Sequence, residues 1–237
     1  VKKEEFVSKN SKIKFKNKYL NRVVNNVFTA IVKNWIFQGI LDLSVNEKIY
    51  KILFDVFFLV VALLMGVSGG WLILVFISVH TLNWITNDHF VDNLFHLEIC
   101  KMTPEKMERS ISFLRAFVGE FECIEYAGIY GRIARGEEVR SGTDIDIRFI
   151  RKRGLLNAIK ACIVGHYLRC IALFRLMPID LNIWDNVSDL NRMRKDEIPL
   201  ILKGARKVRS IYPDINNSML EKYRRYDCRR AYDFFPG

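Results

Sequence analysis

The chain has 237 residues, half of them apolar, and its 37 lysines and arginines against 26 aspartates and glutamates give a formal net charge of +11. A core of that size needs no disulfide or structural metal, and five cysteines placed singly (Cys100, Cys123, Cys162, Cys170, Cys228) argue against a disulfide framework or a paired-cysteine zinc site and for a reducing compartment. The charge implies attraction to polyanions, either nucleic acid or an anionic lipid surface, without choosing between them.

Residues 1–18 carry seven lysines against Glu4 and Glu5 and read as a basic flexible arm. The first thirty residues lack the apolar stretch of a cleavable signal peptide, so secretion is not expected. Residues 19–48 are predicted as an amphipathic helix: Leu20, Val23, Val24, Val27, Phe28, Ile31, Val32, Trp35, Ile36 and Ile40 share one face, opposite Arg22, Asn25, Asn26, Lys33 and Asn34. Such a helix fits a membrane interface or a protein core equally well.

Residues 49–87 form two long apolar runs separated by Ser68-Gly69-Gly70, with Asp55 the one formal charge between Ile52 and Trp84. Each run makes a helix of roughly 21 to 24 Å, somewhat short of the roughly 30 Å hydrocarbon layer. One tilted helix, an inserted hairpin and a buried soluble hairpin all remain. The inserted hairpin is favoured because it keeps both flanks on one side of the membrane, with Lys48 and Lys51 marking the cytosolic face.

Residues 88–237 are expected to form the chemical domain. His89, Asp92 and His96 share a helical face, a metal site or simply a polar surface. Thr103-Pro104-Glu105 is a helix start, and the helix should run to about Glu120. A strand, Cys123 to Ala127, leads into the glycine-bounded segment Gly131-Arg132-Ile133-Ala134-Arg135-Gly136-Glu137, whose backbone N–H groups suit phosphate oxygens. The next strand, Thr143 to Ile150, puts Asp144 and Asp146 on one face and Ile145, Ile147 and Phe149 on the other. Two carboxylates so placed repel, a cost that divalent cations remove. After a helix over Leu155 to Leu176, the run Pro178 to Trp184 places Asp180, Asn182 and Trp184 together by the same alternation.

Gly131, then Ala134-Arg135-Gly136-Glu137, then Asp144 and Asp146, then Asp180 resembles the pattern of the DNA polymerase beta type nucleotidyltransferase superfamily, above all its minimal members, over residues 103 to 185. The resemblance implies an α/β (α+β) fold with a small mixed β-sheet flanked by helices, and an N-terminal helical, membrane-associated region would be added to it here. It further implies that Asp144, Asp146 and Asp180 are catalytic and bind metal, two Mg²⁺ (or Mn²⁺) ions, that Asp180 is also a candidate general base, and that Gly131, Arg132, Arg135, Gly136 and Thr143 bind an NTP. Arg132 departs from the pattern, standing where Ser is common. It either replaces the hydroxyl with a charge-assisted contact or marks a differently held nucleotide. Thr143 retains the hydroxyl of the usual Ser.

Helices are predicted over Asp189 to Lys203, interrupted at Pro199, and over Ser218 to Arg230, where Lys222, Arg224, Arg225, Arg229 and Arg230 interleave with Tyr223 and Tyr226. That tail suits phosphates and bases, lipid headgroups, or plain solvent. The sequence therefore leads to a membrane-associated nucleotidyltransferase facing the cytoplasm, moving an NMP from an NTP to an acceptor that is a membrane lipid or lipid-linked molecule. The alternatives are a phospho-alcohol transferase with a nucleotide-activated donor, and a non-catalytic membrane-bound module that binds nucleotide or nucleic acid.

Overall fold

A computed structural model of the chain describes residues 27–38, 43–87, 90, 101–194, 197–208 and 211–212. The basic arm 1–18, the His89, Asp92 and His96 face and the basic helix expected over 218–230 lie outside the described residues.

The fold is mixed α/β of the α+β kind, a four-stranded mixed sheet flanked by helices. Among the described residues three helices come first: α1 (Val27–Phe37), α2 (Val45–Leu64) and α3 (Gly70–Asn87). The single helix predicted over 19–48 is not continuous, because Ser44 starts α2, its Oγ accepting from the Glu47 N–H at 3.4 Å. The two apolar runs are separate helices, and Gly66 and Gly69 supply positive φ in the turn between them.

The second part begins with α4 (Pro104–Glu120), where the Thr103 hydroxyl accepts from the Lys106 N–H at 3.2 Å and Pro104 occupies the first turn. Then come β1 (Ile124–Tyr130), the single turn α5 (Gly131–Ala134), β2 (Ile145–Arg151), α6 (Leu155–Phe174) and β3 (Ile179–Trp184). A 3₁₀ segment (Val187–Arg192) and β4 (Leu200–Lys203) follow. The spatial order is β3-β2-β1-β4, with β1 antiparallel to β2 and β4, and β2 parallel to β3.

Residues 189–203 thus differ from the predicted helix. Pro199 has no N–H to continue one, and Leu200 and Ile201 pack on opposite faces of the sheet, the period-two pattern of a strand. Lys203 closes the end of α4 as well, donating from Nζ to the Val118 and Phe121 carbonyls at 3.0 and 2.8 Å.

Alternation along the strands sorts the two faces of the sheet. Ile145, Ile147 and Phe149 of β2 and Ile179, Leu181 and Ile183 of β3 enter the main core, packed by Ile111, Leu114 and Phe117 of α4 and by Ala161, Val164 and Leu168 of α6. Gly165 lets α6 approach closely, since a Cβ there would stand 2.5 Å from Ile183 Cδ1. The other face carries a smaller cluster around Tyr126, Tyr130, Ile150, Trp184, Ile201 and Tyr212. The remainder of that face is polar.

The N-terminal helices dock on α6 and β3. Arg169 of α6 pairs with Glu47 of α2 and donates to the Leu181 carbonyl at 2.6 Å and to Asn87 Oδ1 at 2.8 Å, while Glu47 accepts from the Ile183 N–H at 3.2 Å. His166 of α6 hydrogen-bonds Tyr50 and Thr86, both at 3.0 Å. Between α1, α2 and α3, Asp55 meets His80 at 2.7 Å and Asn83 at 2.8 Å, and Lys51 Nζ donates to the Gln38 carbonyl at 2.7 Å. Away from these contacts the hairpin is apolar and exposed, with Phe57, Leu64, Met65, Trp71 and Ile73 among the exposed side chains.

Among the described residues one helix, α6, is long and apolar enough to cross a membrane by length and composition alone. One side of it is packed against the sheet, as in the core helix of a folded domain.

Candidate active site

Asp146 and Asp180 are direct cross-strand neighbours in the parallel β2–β3 register. Both point to the polar face because Ile145, Ile147, Ile179 and Leu181 are drawn into the core on the other side. Asp144 lies just before β2, which starts at Ile145, two residues later than predicted. Thr143 is held in a turn there, its buried hydroxyl accepting from the Arg140 N–H at 2.8 Å. Burial first, then repulsion from Asp144 and Asp180, hold the Asp146 carboxyl well above the ordinary carboxylate range, and Arg148 acts in the opposite direction.

Gly131 borders this acid. At the end of β1 it takes φ +74°, and a Cβ built on it would lie 2.1 Å from Asp146 Oδ2. The one-turn helix that follows is closed by bonds from the Arg135 N–H to the Gly131 carbonyl at 3.2 Å and from the Glu137 N–H to the Arg132 carbonyl at 3.0 Å. Gly136, with φ +69°, ends the turn. The glycine-bounded segment and Asp146 are therefore adjacent in space.

The cations of the motif differ in how they are engaged. Arg135 donates from Nε to Glu137 at 2.5 Å and from Nη1 to the buried Glu197 at 3.0 Å, which ties the turn to the segment before β4. Arg132 is partly buried and its charge bears on Glu137.

The residue that sequence reasoning passed over is Arg148. Its Nη2 lies 3.2 Å from Asp180 Oδ2 and 3.9 Å from Asp146 Oδ1, and its Nη1 donates to the Ile147 and Asp180 carbonyls, both at 2.9 Å. The guanidinium also faces the Trp184 ring, 5.8 Å from its centroid. Asn182 donates to Asp180 Oδ1 at 3.2 Å. The signal was present in the sequence, since Asp144, Asp146 and Arg148 are spaced by two and share one side of a strand.

Among the described residues no three His, Cys, Asp or Glu side chains stand together as a metal site, and Arg148 Nη2 stands beside both Asp146 and Asp180. The donor set still suits Mg²⁺ or Mn²⁺. It is all carboxylate oxygen, two of its members are cross-strand neighbours, and Asp144 is close enough to perturb Asp146.

No family model matches the chain, and no curated protein matches it.

Proposed function

We propose that the protein is a metal-dependent nucleotidyltransferase of the DNA polymerase beta type, transferring an NMP from an NTP to an acceptor at the cytosolic face of a membrane. The observation that carries this reading is the in-register pair Asp146 and Asp180, set against a positive-φ glycine turn.

Asp144, Asp146 and Asp180 would hold the Mg²⁺ or Mn²⁺ ions, which when bound neutralise triphosphate charge and lower the pKa of the attacking hydroxyl. Gly131 to Gly136 would receive the triphosphate, because the first N–H groups of a helical turn have no partner within it. Asp180, oriented by Asn182 and Arg148, takes the acceptor proton. The acceptor oxygen then bonds to the α-phosphorus as its bond to the bridging oxygen breaks, and pyrophosphate leaves.

The exposed apolar surface of α2 and α3 supports insertion of the hairpin into the membrane. Such an anchor favours a lipid or lipid-linked acceptor. The purified full chain, given labelled NTPs and membrane lipids, should label an acceptor, and Asp146→Asn should abolish the labelling. Label that persists in that variant would refute the site.

The ion pair of Arg148 with Asp180 favours a second reading, a non-catalytic membrane-bound module that binds nucleotide or nucleic acid. It predicts salt-sensitive binding with no divalent-dependent turnover.

A further inference from the structure

The acids of the site already share a cation of the protein's own. Two carboxylates facing each other across adjacent parallel strands, roughly 5 Å apart at the backbone, repel strongly when partly buried. Arg148, one side-chain position along the same face, reaches both with a single nitrogen, Nη2. Arg135, a second cation whose charge bears on Asp146, is already engaged by Glu137 and Glu197.

Resting on the transferase reading, we propose that Arg148 is a positioning residue, the resident counter-cation of Asp146 and Asp180, and that a divalent ion gains Asp180 only by drawing it away from Arg148. Three features support this. First, the guanidinium is anchored twice on backbone carbonyls through Nη1, so it can release the carboxylate without leaving its place. Second, its Nε is buried and has no hydrogen-bond partner among the described residues, so the burial of this cation is compensated chiefly by the two acids and the two carbonyls. Third, an arginine keeps its charge across the pH range of a folded protein, so loss of a proton cannot end the competition. Arg148 thereby keeps Asp180 aimed at Asp146 before metal arrives and raises the metal concentration at which the site fills.

The test is Mn²⁺ binding to the full chain in detergent micelles, without nucleotide, with free Mn²⁺ read by electron paramagnetic resonance. Wild type, Arg148→Met, Arg148→Lys and Asp146→Asn are compared, each also melted in EDTA and in Mn²⁺. Arg148→Met should bind Mn²⁺ roughly tenfold or more tightly than wild type, because a competing charge within contact distance is gone. It should melt below wild type in EDTA and regain the difference in Mn²⁺. Arg148→Lys, which keeps the charge and loses the fork, should fall between the two, and it carries the same comparison if the Met variant does not fold.

Binding that is unchanged or weaker in both Arg148 variants, yet lost in Asp146→Asn, would overturn the role of Arg148 and leave the metal site standing. Absence of Mn²⁺ binding in every protein would overturn the transferase reading and this proposal with it.

Discussion

At Gly131 two separate demands meet, a φ of +74° and a Cβ position that falls on the Asp146 carboxylate. Gly131→Ala should therefore cost about 1–3 kcal/mol in chemical denaturation, from backbone strain alone. It should cost more in transfer activity, because Asp146 must move aside. Thr143 presents a different case. Its hydroxyl is used inside the turn, accepting from the Arg140 N–H, so Thr143→Val should lose about 1–2 kcal/mol of stability while Thr143→Ser loses little. A KM for NTP unchanged in the Ser variant and only slightly raised in a folded Val variant would show that this side chain shapes the loop that delivers Asp144.

Among the elements, β1 is the one whose side chains the rest of the sheet closes over. Its Tyr126 and Tyr130 hydroxyls lie 2.9 Å apart beneath Tyr212, and burial raises all three phenols above their ordinary value. The unfolded chain would release these protons at about pH 10, while the folded chain keeps them. Their contribution is therefore complete below that pH and is lost as pH rises beyond it. Tyrosinate absorbance should show at least three of the nine tyrosines ionising together with unfolding rather than before it.

The elements that could be read from sequence were those with a long or repeated period. These include α4 with its Thr103 cap and Pro104, the alternating strands that carry Asp146 and Asp180, and the two apolar helices. β4 could not be read, since Leu200 to Leu202 is a short apolar run that fits helix and strand alike until β1 is seen beside it. Alternation alone starts β2 two residues early, because it does not reveal that Thr143 is captured by the turn. Arg148 was visible by spacing, but its meaning depends on β3 lying parallel and in register, a tertiary fact.

At the scale of the whole molecule, the hairpin and the sheet are joined by a buried ion pair between residues 122 positions apart, Glu47 and Arg169. No sequence period reports such a contact. Removing one partner leaves the other charge buried, so Glu47→Ala or Arg169→Ala should each cost roughly 3–5 kcal/mol. Glu47→Met with Arg169→Met should cost much less than the two single changes summed, and thermal melts in detergent measure this. Liposome flotation tests the surface beyond: Phe57→Asp, Trp71→Asp and Ile73→Asp together should release the chain from vesicles, while the Glu47 variants that still fold should float.

The same ion pair bears on how the sheet ends. β3 is its terminal strand, and the outward backbone groups of that strand, the Leu181 carbonyl and the Ile183 N–H, are taken by Arg169 and Glu47 rather than by a neighbouring strand. A fragment begun at Lys101 to obtain the sheet without detergent would lose Glu47 and uncover that edge beside the exposed apolar residues of α6, Leu155, Leu156 and Ile159 among them. Exposed edges of this kind recruit further strands, so the fragment should self-associate, and the hairpin serves as the cap that keeps one copy of the sheet from adding to the next.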